Sequence, residues 1–431
     1  MIRIPLSRYP HLPIYKWSAY TLLVLVFMIG VYHRFAPATL GSPISRDLAL
    51  STGMLGALAS MHFWAYTIAQ VPAGHLVDRH GLRASAIAGC VLMATGGLML
   101  ATATQPWQAF CGPVLVALGM SLIFVSLMKY NLAWFPPRHF SLVTGITILL
   151  ASLGSVLAES PTAYALRFLD WRQILGGLSA FCLLTALALL LICHESPRAL
   201  RRAGANLHTV TSPRSGVRWS DFSHILRNRR VLTLFLVISA TSGPLYAFLG
   251  LWAIPLFTDS FGLSVLEASH YATVALLVYS LGAPFLGLLS DRSGVRRPFI
   301  IVSALCGTLG WAGLTLAPWT PGWWPMLMFL LLALSGASLA VIFTATRESV
   351  SRSRMGTATA FVNAGAFLFT AILQYLMGVT LGFFHNDTST PGLQEYQLVL
   401  MLPMVCSAIG LAAAWSFPKS HDEEIRDSAR G

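Results

Sequence analysis

Twelve apolar runs, each of about the 20 residues that a helix needs to cross a bilayer or longer, dominate this chain. They fall at 17–44, 54–76, 84–104, 107–133, 140–166, 171–193, 231–257, 269–290, 298–317, 324–346, 356–383 and 395–417. Hydrophobic residues make up 55% of the sequence and charged ones 10%. A soluble domain carries about 25% charged residues, so this much apolar surface has no place in water. Each run must therefore satisfy its backbone internally as a helix in lipid. The expected fold is all-α and integral to the membrane, with twelve transmembrane helices.

The formal charge of +12 does not point to nucleic acid, because its distribution follows topology. Lys and Arg concentrate on one set of loops, above all in 194–230 with Arg198, Arg201, Arg202, Arg214, Arg218, Arg227, Arg229 and Arg230. The opposite loops hold only Arg46, Arg167 and Arg172. This asymmetry places the basic loops and both termini in the cytoplasm, and the short loops suit a bacterial inner membrane. The first run is too long for a signal peptide and has no small-residue cleavage site behind it. Cys90, Cys111, Cys182, Cys193, Cys306 and Cys406 lie in or at the ends of apolar runs without CxxC spacing, so they are expected to pack rather than to bind metal or form disulfides.

A ten-residue cassette occurs twice. Gly74-His-Leu-Val-Asp-Arg-His-Gly-Leu-Arg83 returns as Gly287-Leu-Leu-Ser-Asp-Arg-Ser-Gly-Val-Arg296, 213 positions later, with Gly, Leu, Asp, Arg, Gly and Arg in register. Each copy links two apolar runs. The repeat divides the chain into two pseudo-symmetric six-helix halves, 17–193 and 231–417, flanked by a tail 1–16, the basic linker 194–230 and a tail 418–431. Paired halves in lipid are a mark of secondary transporters. Gly81 and Gly294 allow a tight turn. Asp78 and Asp291 end helices at the pole that disfavours a carboxylate, and so need a cation nearby.

The cassette resembles motif A of the major facilitator superfamily, roughly G-x-L-x-D-R-x-G-R-[KR]. Gly74, Leu76, Asp78, Arg79, Gly81 and Arg83 match in one loop, and Gly287, Leu289, Asp291, Arg292, Gly294, Arg296 and Arg297 in the other. Leu82 and Val295 replace the basic ninth residue. The resemblance implies a twelve-helix fold, alternating access and a gate network containing Asp78, Arg79, Arg83, Asp291 and Arg292; Arg347 and Glu348, at the cytoplasmic end of the tenth span, are expected to join it by position. The alternative reading of these residues is loop charge that only sets topology. The family's fourth-span arginine is replaced here by Pro113 or Leu115, and its fifth-span antiporter pattern is missing around Gly154–Pro161.

Ionisable side chains inside a span cost about 2.5–3.5 kcal/mol at its centre, which makes the few present here candidates for transport. Arg34 lies within about 6 Å of the middle of the first span at 1.5 Å per residue. Its guanidinium suits a carboxylate or similar anion, unless the helix ends near Val31 and leaves it at the interface. Lys129 either adds a second cation to the cavity or snorkels to headgroups. Glu159 is a candidate proton carrier or a structural carboxyl. His62 and Tyr66 share one face of the second span with Gln70, and His62 is a second candidate for proton coupling. Tyr246, Trp252, Tyr279, Asn363, Gln374 and Tyr375 offer hydrogen bonds or apolar walls in the second half. Arg34 with Lys129 is similar to the pattern of the branch of lysosomal dipeptide carriers.

The reading is a secondary transporter for a small organic anion or zwitterion, taken up with a proton or another coupling ion, acting as a monomer without a cofactor. No phosphate-binding loop is present, and no HExxH or GxSxG constellation supports an enzyme. The alternatives are an exporter of drugs, siderophores or metabolites, and a non-transporting receptor or scaffold.

Overall fold

The computed structural model describes residues 12–136, 139–193, 224–351, 354–384 and 390–418. Most of the expected linker and of both tails therefore lies outside the described residues. The spans are helices α1 (Leu12–Asp47), α2 (Thr52–His80), α3 (Leu82–Ala101), α4 (Pro106–Trp134), α5 (Phe140–Ala158) and α6 (Trp171–Ile192). They continue with α7 (Arg229–Ala247), α8 (Val265–Ser293), α9 (Arg297–Thr315), α10 (Trp323–Gly336), α11 (Met355–Phe384) and α12 (Leu393–Ser416). Among the described residues, ten helical stretches are long and apolar enough to cross a membrane, and the apolar part of α5, Leu142–Ala158, is shorter. α2 is 29 residues long and carries His62, Gln70, His75, Asp78 and Arg79 among its apolar residues. The chain is a multi-pass all-α membrane protein.

Helix ends follow local chemistry. Asp170 accepts a bond from the Trp171 N–H at 2.8 Å, and Gln173 Oε1 accepts one from the Asp170 N–H at 3.0 Å, closing a capping box at the start of α6. Ser264 and Glu267 do the same for α8. α8 stops at Gly294, whose φ of 70° is left-handed, a conformation cheap only for glycine.

Three expected spans are interrupted. The fifth breaks at Glu159, with a short helix Ser160–Ala165 beyond. Pro161 has no N–H for the Leu157 carbonyl, and the Thr162 hydroxyl donates to that carbonyl instead, at 2.8 Å. α7 passes through a π-helical stretch, Phe248–Trp252, into Ala253–Phe261. α10 breaks at Ala337–Ser338 before Leu339–Glu348.

The chain forms two compact units that cut across the expected halves. One gathers Met1–His33, Ile68–Gly154 and Leu169–Gly216; the other gathers Arg34–Thr67, Ser155–Phe168 and Val217–Gly431. In the first, α3 and α4 cross at two glycine pairs. A Cβ on Gly96 would lie 2.5 Å from the Gly112 carbonyl oxygen, and one on Gly119 would lie 2.5 Å from that of Gly89. Backbone contact of this kind holds helices together where lipid gives no hydrophobic drive. Gly96→Leu is expected to cost about 3 kcal/mol or more by overpacking and to lower the melting temperature by several degrees. An unchanged melting curve would refute this account of the seam.

The second unit draws the far ends of α1, α2 and α5 onto second-half helices, which is why it departs from the sequence halves. The Ser160 N–H donates to Thr273 Oγ1 at 3.1 Å, and the Ser160 and Ser269 hydroxyls lie 3.0 Å apart. On α2 and α11, Gly56 and Gly378 face each other so closely that a Cβ on Gly56 would lie 3.1 Å from the Gly378 Cα.

Candidate functional site

α1 runs unbroken past Arg34 to Asp47, with Pro37 and Pro43 inside it, so Arg34 belongs to the helix interior and not to its end. Its residue is 8% exposed. The guanidinium carbon lies 4.6 Å from the ring centre of Phe367, 4.7 Å from that of Tyr66 and 5.7 Å from that of Phe63. Desolvated contacts of this type are worth about 2 kcal/mol, comparable to the cost of placing the charge in a span. A guanidinium resting on ring faces still presents in-plane N–H donors, the geometry that recognises carboxylates.

The cage extends through neighbouring aromatics. The His62 ring stacks at 6.5 Å on Tyr66, one helical turn away, and His62 is buried. Tyr246 stacks on Phe367 at 6.2 Å, meets Phe35 edge-on at 5.9 Å, and its hydroxyl bonds to that of Tyr279. Five expected residues, Arg34, His62, Tyr66, Tyr246 and Tyr279, thus converge on one aromatic cluster in the second unit. Asn363 is partly exposed on α11, four residues before Phe367 and so on the same face. Tyr375 is 46% exposed and turns away from this cluster. Phe63, Phe367 and Phe35 gave no sequence signal, because a cage phenylalanine reads like any apolar span residue.

Lys129 belongs to the first unit. It forms an ion pair with Asp78 of the first cassette, and its side chain is 31% exposed. The structure therefore joins Lys129 to the cassette. In the same cassette the Arg83 guanidinium donates to the Leu190 carbonyl, and Gly81 holds the turn at φ 86°. Gly74 is partly exposed and Arg79 is exposed.

The second cassette uses the equivalent arginine differently. Arg296 pairs with Asp291 at 2.7 Å and with Glu348 at 3.0 Å, and donates to the Ser290 hydroxyl at 2.9 Å. The Arg297 guanidinium donates to the Trp415 carbonyl at 3.0 Å. Gly287 lies against Ala340, 3.2 Å from the site of its missing Cβ. Arg292 and Arg347 are exposed, so Arg296 and Glu348 carry the contacts that the sequence pattern had shared among more residues.

Glu159 is fully buried at the α5 break. The Thr39 hydroxyl donates to the Ala158 carbonyl at 2.8 Å and shares that donation with Glu159 Oε2 at 3.4 Å. Glu159 Oε1 has no hydrogen-bond partner among the described residues. Those residues also hold no cluster of His, Cys, Asp and Glu suited to a metal ion.

A family model described as Major Facilitator Superfamily matches residues 21–254 and 245–431. The lysosomal dipeptide transporter MFSD1 of Homo sapiens is 25% identical over 390 residues, covering 84% of this chain and 80% of that protein. An MFS-type efflux pump of Mycolicibacterium smegmatis is 26% identical over 442 residues, covering 97% and 96%. In fold, the chain is similar to the crystal structure of a bacterial homologue of the human lysosomal transporter Spinster, in an inward-facing and occupied conformation. The TM-score is 0.76 at 18% identity, covering 93% of this chain and 96% of that one.

Proposed function

Because this chain belongs to the major facilitator superfamily and is a membrane transporter, we propose that it carries a small organic anion or zwitterion whose carboxylate docks on Arg34. The observation that carries this reading is a permanent cation, buried within a span, in a cage of Tyr66, Phe367 and Phe63. The likeness to a dipeptide transporter supports it, since every dipeptide ends in a carboxylate. His62, Tyr246, Tyr279 and Asn363 complete the surroundings of the bound molecule. The paired charges of each cassette, with Glu348 as expected and with Lys129 added, form the gate. Transport is uptake by a monomer in a bacterial inner membrane, with both termini in the cytoplasm.

We assign proton coupling to Glu159, with His62 as the second candidate. Glu159 is a buried carboxyl with an unpartnered oxygen, next to a helix break, and protonation would remove a charge that few contacts offset. Coupling through this residue changes the charge of a region that joins α1, α5 and the helix carrying Thr273.

Ligand-induced thermal stabilisation of the purified protein tests the reading, because it needs no knowledge of direction. Carboxylates and zwitterions should raise the melting temperature of the wild type and leave Arg34→Ala unmoved. In proteoliposomes, Glu159→Gln should abolish uptake driven by an acidic exterior while substrate exchange persists. Stabilisation by lipophilic cations alone, equal in Arg34→Ala, would instead favour the exporter, a reading that the likeness to an efflux pump supports.

A further inference from the structure

Above the Arg34 cage the protein buries polar groups that nothing satisfies. Gln374 of α11 is 0% exposed, and neither its Oε1 nor its Nε2 has a hydrogen-bond partner among the described residues. The indole N–H of Trp252, 1% exposed, is in the same condition. An orphaned buried amide or N–H is costly, and natural proteins rarely keep one without a use. Here three lie on two facing elements.

Local backbone geometry holds them together. The π-helical stretch Phe248–Trp252 widens α7 by one residue per turn, a distortion common at functional sites. It brings Gly250 to the point where its missing Cβ would lie 3.1 Å from Gln374 Nε2 and 3.4 Å from the Arg34 carbonyl oxygen. Trp252 reaches the same region from the other side, its Cζ2 lying 3.1 Å from where a Gly378 Cβ would sit. Gln374 is seven residues after Phe367, about 10 Å along α11.

Side chains on helices lean toward the N-terminus. The Arg34 carbonyl oxygen lies beside Gly250 and its guanidinium lies over Phe367, and Gln374, later along α11, leans back toward Phe367.

We propose that Gln374 and Trp252 form the polar roof of the Arg34 site and select carboxylates that carry an amide or hydroxyl group at their far end. The proposal rests on the carboxylate reading of Arg34 and narrows it. Gln374 offers a donor and an acceptor, and Trp252 offers a donor. A peptide group or a hydroxyl satisfies such a roof; a methylene chain leaves it unpaired, and sites built this way reject the analogue that lacks the partner.

The test measures affinities of three probes, dialanine, tartrate and butyrate, for the wild type, Arg34→Ala, Gln374→Leu and Trp252→Phe. Gln374→Leu nearly keeps shape while removing the polar atoms, and Trp252→Phe removes the indole N–H together with part of the ring system. The wild type should favour dialanine or tartrate over butyrate, and Arg34→Ala should weaken all ligands. Gln374→Leu should lose about tenfold to a hundredfold in affinity for the favoured polar ligand and leave butyrate within about threefold, erasing the preference. The unliganded Gln374→Leu protein should melt no lower than the wild type, since an orphaned amide is replaced by an apolar group. Trp252→Phe should show the same trend more weakly.

Arg34-dependent binding with an unchanged preference in Gln374→Leu would overturn the roof while sparing the carboxylate reading. A lower melting temperature with unchanged preference would make Gln374 a packing residue and overturn it equally. Binding of all three probes that ignores Arg34→Ala would overturn both.

Discussion

Arg34→Lys is expected to lose substrate binding and transport almost as fully as Arg34→Ala, about 100-fold in affinity, although it keeps the charge. Two physical differences lead to this. The planar guanidinium lies over the rings of Phe367 and Tyr66 at 4.6 and 4.7 Å while offering a fork of donors to a carboxylate; ammonium is a compact point charge that does neither. Ammonium is also more strongly hydrated, so holding it where residue 34 is 8% exposed costs more. A bidentate, charge-assisted pair contributes roughly 3 kcal/mol, the upper range for hydrogen bonds to charged groups, which is about two decades in affinity. Isothermal titration with a carboxylate found by thermal shift separates the outcomes. Wild-type affinity in Arg34→Lys would reduce the site to a simple charge, and wild-type affinity in Arg34→Ala would remove Arg34 from the site.

Gly378→Val is expected to stop transport while leaving the protein folded and able to bind. A Cβ on Gly378 would lie 2.9 Å from the Thr52 carbonyl oxygen and 3.1 Å from the Gly56 Cα. These are backbone atoms, which cannot rotate aside as a side chain can. The valine must therefore push α2 away from α11 at the end remote from the cassettes. On the alternating-access reading the cycle opens this contact, so the separated state is one the fold accommodates, and stability should fall little. What is lost is closure. Uptake should drop by at least about 100-fold, while affinity for polar ligands falls no further than in Trp252→Phe, because the added Cβ also presses on Trp252. Transport at the wild-type rate would show that the α2–α11 crossing does not need to close.

These two predictions draw on different depths of legibility in the sequence. The hydrophobic runs set where helices form, because lipid thickness and the need to satisfy every backbone group leave no alternative, although three of the runs are interrupted. The repeated cassette identified the family, since its glycines and charges obey local turn and helix-end chemistry that survives without long-range information. Arg34 stood out by the same local logic, as a charge where charges are costly.

Partners did not stand out. Lys129 and Arg34 are both intramembrane cations in the sequence, yet one pairs with Asp78 and the other lies on aromatic rings. Only helix packing separates them. The break at Glu159 follows from Pro161, but the hydroxyl of Thr162 that repairs it, and the Thr39 hydroxyl that meets the carboxyl, required coordinates. Gln374 and Trp252 read as two polar residues among many; that they are buried, close and unsatisfied is a property of three helices meeting.

The sequence by itself thus determined the solvent, the helices, the repeat and the list of costly charges, because each depends on neighbours along the chain or on transfer from water to lipid. The tertiary structure alone decided which charges meet, which rings form the cage and which glycines touch. Most of those contacts join residues on different helices, from Gly96 with Gly112 to Arg34 with Phe367, and no local pattern encodes them.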